Sequence, residues 1–186
     1  MADEDDFERL VATARKTSAV LRDAGVPHAL AGGLAAWARG GPKTEHDVDF
    51  MLKAEDAERA LEALDGAGMR TERPPEGWLF KAYDGDELID LIFDPTSGPV
   101  TDELLERAEQ IEVLAMPMPV ARLEDVMVTK LMALTEQEPE FGGVLELARS
   151  LREQIDWDEV RARTEESAWA KAFFTLAEEL EIVSAG

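Results

Sequence analysis

The sequence contains no cysteine and only two histidines in 186 residues. The absence of cysteine excludes disulfide bonds, thiol nucleophiles and thiolate zinc sites, and two histidines argue against a zinc enzyme. The acidic N-terminus has no apolar signal region, so we expect a cytoplasmic location. Because no apolar run approaches the roughly 20 residues of a membrane helix, we expect no membrane partner.

Basic residues are also scarce, with 19 Lys and Arg against 41 Asp and Glu, which gives a net charge of −22. Such a chain repels nucleic acid at long range. The charge is uneven, because residues 28–83 carry 7 basic against 10 acidic side chains, a balance of −3, and the remainder carries −19. Residues 28–83, which contain the candidate site residues described below up to position 49, are therefore much less acidic than the rest of the chain.

The length and a hydrophobic content of 45% predict one globular unit with a helical appendage. We expect an α/β fold in which residues 1–119 form a core with a mixed β-sheet and an N-terminal helix. Residues 120–186 are expected to form a helical region that completes a cleft.

Apolar periodicity and turn residues predict the individual elements. The expected helices are 6–24, 34–39, 54–64, 102–108, 122–136, 142–153, 157–164 and 167–181. The expected strands are 26–31, 47–52, 69–72, 78–83, 87–93 and 111–115, the last being an edge strand that ends before the proline-interrupted residues 116–119.

Two aspartates lie at the start of the second predicted strand. Asp47 and Asp49 are two residues apart, so on a strand their side chains leave the same face, while Val48 and Phe50 point into the core. Two adjacent carboxylates repel each other unless a cation such as Mg²⁺ lies between them. Since the Asp-x-Asp pattern occurs four times in the chain, a plain polar strand end is the alternative interpretation.

A glycine pair, Gly32-Gly33, lies where the first predicted strand turns into a short helix. Glycine lets the backbone approach an anion closely, and a helix N-terminus presents free N–H groups. A phosphate group next to a metal ion is the arrangement required for nucleotide transfer.

One pattern in the sequence consists of Gly32-Gly33, thirteen further residues and then Asp47-Val48-Asp49. This pattern is similar to the signature of the DNA polymerase β-like nucleotidyltransferase superfamily, most closely to that of its small bacterial AbiEii-type toxin members. The resemblance covers residues 26–94 and extends more weakly through Lys130. It implies Mg²⁺- or Mn²⁺-dependent transfer of a nucleoside monophosphate (NMP) from an NTP to a hydroxyl. Asp47 and Asp49 would hold the metal, and the backbone of the glycine pair would hold the phosphates.

Asp90, inside the apolar run Leu88-Ile89-Asp90-Leu91-Ile92-Phe93, is the expected third carboxylate. A buried charge is costly unless it is paired or bound to metal. In the resembling family a third acid shares the metal and helps to deprotonate the attacking hydroxyl. The alternatives are an aspartate at the sheet edge and an ion pair with Lys81 across the predicted hairpin.

Lys130 lies in an apolar predicted helix, and with Leu134 it matches a Lys-x-x-x-Leu pattern whose lysine reaches the triphosphate in the resembling enzymes. We expect an anionic partner for it in the cleft; the alternative is a side chain that extends to solvent. The Asp that often follows this helix is absent here, and Glu140 is an approximate substitute.

Lys43 and Thr44 resemble the end of a P-loop, but Pro42 replaces the glycine before the lysine and no glycine occupies position 36. A P-loop is therefore excluded, and both residues are expected to line the phosphate path instead. His46 precedes Asp47 and should point away from the metal-binding face.

The sequence leaves the acceptor open among a tRNA 3′ end, a protein hydroxyl and a small molecule such as an aminoglycoside. The resemblance to toxin enzymes also implies a cognate antitoxin as a partner. A function of a different class is an inactive nucleotidyltransferase fold that serves as a binding or regulatory partner in a toxin–antitoxin pair.

Overall fold

The computed structural model describes residues 2–44, 47–135 and 139–184. In these residues a mixed seven-stranded sheet is combined with eight α-helices, which confirms the predicted α/β class. The strands are β1 (His28–Leu30), β2 (Val48–Leu52), β3 (Arg70–Glu72), β4 (Leu79–Asp84), β5 (Glu87–Ile92), β6 (Glu109–Val113) and β7 (Met116–Val120). The helices are α1 (Ala2–Asp23), α2 (Gly32–Ala38), α3 (Ala57–Gly66), α4 (Asp102–Glu106), α5 (Leu123–Ala133), α6 (Phe141–Leu151), α7 (Trp157–Arg163) and α8 (Ala168–Glu179).

The predicted helices are all present, with shifts at their ends. Helix α2 begins at Gly32 rather than at residue 34, so the glycine pair forms the first turn of the helix. Helix α5 ends at Ala133, and its predicted end at residue 136 lies outside the described residues. None of the described helices combines the length and apolar character needed to cross a membrane.

The strand order of the sheet is β3-β4-β5-β2-β1-β7-β6. Strand β2 runs parallel to β5 and β1 runs parallel to β7, whereas the other neighbours are antiparallel. The register places Asp49 opposite Asp90, and Asp90 opposite Lys81. Directly opposed side chains lie on the same face of a sheet, so these three residues form a row across β2, β5 and β4.

The prediction that the last strand ends before residues 116–119 was wrong, because these residues belong to a further strand, β7, between β1 and β6. The N–H of Ala121 donates to Leu30 O at 2.8 Å, so by alternation the nitrogens of Pro117 and Pro119 face the β1 side. The ladder with β6 therefore does not require the N–H groups that proline lacks.

The end of the predicted strand at 111–115 also differs in the structure. Strand β6 is an edge strand, as expected, but it ends at Val113, and Leu114 and Ala115 form the turn to β7. Their φ angles of 44° and 63° suit the mirror-image turn that connects two tightly paired antiparallel strands. Because neither residue is a glycine or an asparagine, the sequence carried no signal for this turn.

One continuous cluster of buried side chains joins the sheet to the C-terminal helices. It contains Phe7 of α1, Phe50 of β2, Leu131 of α5 and Phe173 of α8. The division after residue 119 stays a prediction, but the two parts share this core.

A buried ionic network holds the start of α5. The Asp125 side chain is only 1% exposed, and its Oδ1 accepts from Arg107, which follows α4, at 3.1 Å and from Arg163 of α7 at 2.8 Å. Next to it, Glu124 Oε1 accepts from the N–H of Asp156 at 2.9 Å. The network thus connects the strand-bearing part of the chain to α5 and α7.

Neutralising Asp125 takes two ion pairs away from a side chain that stays buried. We therefore expect Asp125→Asn to lower the free energy of unfolding by about 2–4 kcal/mol, measured by urea denaturation. Glu153→Gln is the control, because the Glu153 side chain is 86% exposed in its ion pair with Arg152 and should change stability by less than about 0.5 kcal/mol. Equal effects of the two substitutions would contradict a structural role for Asp125.

Candidate active site

Asp49 lies on the face of β2 opposite to the main core, and Asp47 directly precedes the strand. Val48 and Phe50 are fully buried, whereas both aspartates are half-buried. The predicted alternation of strand residues is therefore present, and it sets two carboxylates side by side at the start of the strand.

Asp90 of β5 adds a third carboxylate to this pair. It lies between the fully buried Ile89 and Leu91, and one oxygen each of Asp47, Asp49 and Asp90 lie within 4.8 Å of one another. The expected proximity is present, and so is one of the alternatives, because Lys81 Nζ donates to Asp90 Oδ1 at 3.0 Å. Asp90 thus contacts a lysine on one side and belongs to the acidic cluster on the other.

Gly32 is required by two features of this site. Its φ is +57°, in the left-handed region that favours glycine, and a Cβ built on it would lie 1.7 Å from Asp49 Oδ2. The backbone of the same turn is fixed to β2, because the N–H of Ala31 donates to Asp49 O at 2.8 Å. The carboxylate of Asp49 therefore occupies the volume that any other side chain would fill.

Gly33 lies in similarly close contact with Thr44. A Cβ on Gly33 would lie 2.6 Å from Thr44 Oγ1, so the loop after α2 packs directly on the first turn of the helix. Lys43, which precedes Thr44 in this loop, is exposed and lies over the ring of Phe7, with Nζ 5.0 Å from the ring centroid.

A cavity of about 310 Å³ connects this loop to the C-terminal helices. Its lining residues come from the start of α2, the following loop, α5 and α6: Gly33, Pro42, Lys43, Thr44, Lys130, Gly143, Glu146 and Leu147. The structure therefore brings together Lys43, Thr44 and Lys130, which the sequence assigned to the phosphate path. Their role in nucleotide binding remains a prediction.

Lys130 is partly exposed near the end of α5, and its positive charge opposes the rise in the pKa of Asp49. In the described part of the chain no carboxylate lies within the 4.0 Å of an ion pair with it, so the expected direct anionic partner is not found. The ammonium group thus acts on the acidic cluster at longer range, and no ion pair with the described residues keeps it from a ligand in the cavity.

Burial raises the pKa of Asp49 to about 7, and the negative charge of Asp47 adds to the rise. Lys130 opposes it. Burial also raises the pKa of Asp90, against the lowering effect of the Lys81 hydrogen bond. Without a bound cation, burial thus favours the protonated form of both Asp49 and Asp90 relative to a carboxyl group in water.

Two further sequence expectations concern the edges of the site. His46 lies outside the described residues. Glu140, the approximate substitute for the missing aspartate, caps α6 by accepting from the N–H of Gly143 at 3.1 Å. In this arrangement it serves the helix rather than the carboxylate cluster.

Sequence reasoning did not identify Glu146 and Gly143 as cavity residues. Both lie in α6, and they reach the cavity only because α6 packs across from the loop after α2. A single acidic residue on an amphipathic helix carries no local signal that it faces a site.

The space beside Asp49 can be tested by comparing two glycines. Gly32→Ala places a methyl group against Asp49, whereas Gly25→Ala, with a φ of +67°, adds a side chain that meets nothing within 4 Å. Both variants bear backbone strain of about 1 kcal/mol, but only Gly32→Ala should weaken Mn²⁺ binding, by about 10-fold or more, in calorimetric titrations. Equal Mn²⁺ affinities of the two variants would show that the contact with Asp49 is unimportant for the site.

The raised pKa of Asp49 makes the free energy of unfolding depend on pH. The folded state binds this proton more tightly than the unfolded state, so folding loses stability as pH rises from about 4 to about 7. In EDTA, Asp49→Asn should therefore be more stable than the wild type by about 1–3 kcal/mol at pH 8, with the difference vanishing near pH 4.

Urea unfolding at pH 4, 6 and 8 measures this difference. Asp86→Asn, at an exposed turn residue, is the control and should differ from the wild type by the same amount at each pH. A difference for Asp49→Asn that does not change with pH would disprove the effect.

Comparison with known proteins places this geometry in a family. The model of a family described as uncharacterised nucleotidyltransferases matches residues 5–180. No curated protein matches the chain.

Solved structures show the same fold at low sequence identity. The solution structure of the antibiotic-resistance factor ANT(2'')-Ia aligns with a TM-score of 0.66 and 19% identity over 95% of this chain and 98% of that chain. A crystal structure of ANT(2'')-Ia in complex with adenylyl-2''-tobramycin aligns with a TM-score of 0.59 and 18% identity over 88% and 98%. An antigenic nucleotidyltransferase-like protein from Paracoccidioides brasiliensis aligns with a TM-score of 0.51 and 12% identity over 97% and 94%.

The family match spans nearly the whole chain, and the solved structures share its fold over almost their full length. The chain therefore belongs to this family of nucleotidyltransferases.

Proposed function

We propose that the protein transfers a nucleoside monophosphate from an NTP to an acceptor hydroxyl, with Mg²⁺ or Mn²⁺ bound at the acidic cluster. The observation that supports this most directly is the approach of Asp47, Asp49 and Asp90 to within 4.8 Å of one another. Carboxylates this close repel one another, and a bound divalent cation would relieve the repulsion.

The donor set fits a hard divalent cation. Carboxylate oxygens are the ligands that Mg²⁺ and Mn²⁺ prefer, and the missing side chain of Gly32 leaves room for the Asp49 carboxylate. When bound, the metal supplies stabilisation of the negative charge on the attacking and leaving oxygens.

The protein's own residues would perform the remaining steps. Asp90, whose pKa is raised by burial, would take the proton of the acceptor hydroxyl. The hydroxyl oxygen then bonds to the α-phosphorus while the bond to pyrophosphate breaks. Such a step depends mainly on positioning and electrostatics.

The cavity beside the cluster is the proposed site of the triphosphate. Lys130, Lys43 and Thr44 line it, and the backbone of Gly32 and Gly33 forms the adjoining turn. Lys130 is especially suited to bind phosphate, because no carboxylate of the described residues forms an ion pair with it.

For the acceptor, we propose a cationic small molecule that carries a hydroxyl group. The net charge of −22, most of it outside residues 28–83, attracts cations and repels RNA. The complex of ANT(2'')-Ia with adenylyl-2''-tobramycin shows that this fold can hold a nucleotidylated amine-rich molecule. A tRNA acceptor and an AbiEii-type toxin role are the other possibilities.

An inactive fold that serves as a binding partner in a toxin–antitoxin pair is the second candidate. It is favoured by the region after α5, where Glu140 caps a helix and no aspartate follows Lys130 before α6. It is disfavoured by the intact carboxylate cluster.

The test is to incubate the protein with each α-labelled NTP and Mg²⁺, separately with tobramycin, total cellular RNA and no added acceptor. We expect label on tobramycin or another amine-rich molecule. Asp49→Asn should reduce transfer by about 100-fold or more, and Lys130→Met should weaken NTP binding by about 10-fold or more. Lys16→Met is the control, because Lys16 pairs with Asp84 on the opposite face of the sheet.

Each acceptor separates one alternative from the others. Label on RNA would contradict the cationic acceptor and support the toxin-type function. Label on the protein alone would identify a protein hydroxyl as acceptor. No transfer under any condition, together with unchanged Mn²⁺ binding in Asp49→Asn, would leave the inactive binding partner as the function.

A further inference from the structure

Lys81 belongs to the same cross-strand row as two of the proposed metal ligands. In the sheet register it lies opposite Asp90, which in turn lies opposite Asp49. Its Nζ is 3.0 Å from Asp90 Oδ1, and the Lys81 side chain is 27% exposed against 12% for Asp90. A partly exposed ammonium group is thus held against the most buried of the three carboxylates.

The formal charges of the site suggest what this lysine does. Asp47, Asp49 and Asp90 contribute three negative charges when ionised, and Lys81 and Lys130 both act on Asp49 in the opposite direction. The five side chains together carry a formal charge of −1. One divalent cation would make the site slightly positive, and a second would leave a large uncompensated positive charge.

We propose that Lys81 takes the place of a second divalent cation until nucleotide binds. In the nucleotide-free protein the site then holds one divalent ion, bound mainly by Asp47 and Asp49, while the Lys81 ammonium neutralises Asp90. This inference rests on the proposed function, since it assumes that the acidic cluster binds metal.

Nucleotide binding changes the balance of charge. A triphosphate brings about four negative charges at neutral pH, which is enough to compensate a second divalent ion next to Lys81. The second ion should therefore enter only together with the NTP. Lys81 is then a positioning residue, because it holds one oxygen of Asp90 and controls cation occupancy without contacting the reacting atoms.

A purely structural ion pair predicts a different behaviour. If Lys81 only stabilised the β4–β5 hairpin, its removal would lower the melting temperature and leave the number of bound ions unchanged. Counting bound ions separates these two roles.

The experiment counts Mn²⁺ ions per chain by equilibrium dialysis and electron paramagnetic resonance, with and without a non-hydrolysable NTP analogue. We expect one ion per wild-type chain without the analogue and two with it. Lys81→Met should bind a second ion without the analogue, or bind Mn²⁺ about 10-fold more tightly, because a positive charge next to Asp90 is gone. Lys81→Arg should keep the wild-type count, since it keeps that charge.

Lys16→Met is the matched control, because Lys16 Nζ also lies near a carboxylate, 2.6 Å from Asp84 Oδ1, but on the opposite face of the same sheet. It should bind one ion, as the wild type does. Two ions per wild-type chain without nucleotide, or identical binding by Lys81→Met and the wild type, would overturn the proposal. If Lys81→Met does not fold, Lys81→Gln, which also removes the charge, takes its place in the count. Absence of Mn²⁺ binding by the wild type, even with the analogue, would instead contradict the proposed function.

Discussion

The mutual repulsion of three carboxylates is the constraint on which the site depends. Asp47, Asp49 and Asp90 approach one another on a half-buried sheet face, where their charges are screened less than in water. The pKa of Asp49, raised to about 7, expresses the cost of this approach. The nearby lysines reduce the cost without removing it, so the protein keeps an unfavourable arrangement that a bound cation would relieve.

The backbone around the cluster is shaped to permit this approach. Gly32 has no side chain where the Asp49 carboxylate lies, and the parallel pairing of β2 with β5 places Asp90 in the same row. The resulting arrangement favours ligand binding over stability, since clustered acids cost free energy in the metal-free protein. Stability must therefore come from elsewhere, and the continuous core through the sheet and the C-terminal helices provides it.

The sequence predicted those parts of the molecule that depend on local pattern. The alternation around Asp49, the glycine turn and the apolar run around Asp90 are short-range signals, and the strands and the acidic cluster follow from them. Strand β7 was missed because proline usually ends a strand. Only the pairing of β7 between β1 and β6 shows that the ladder with β6 does not use N–H groups at Pro117 and Pro119. The contribution of α6 to the cavity was missed for a similar reason, since packing between distant helices leaves no local pattern.

Helix α5 carries a buried negative charge at its start and a positive charge near its end. Its first turn carries Asp125, buried and fixed by Arg107 and Arg163, and its last turn carries Lys130 at the cavity. At 1.5 Å per residue the two side chains start about 7.5 Å apart along the helix axis, so fixing one end of so short a helix also fixes the other. The buried network thus has a consequence beyond stability, because it holds Lys130, which forms no ion pair with the described residues, at the cavity beside the acidic cluster.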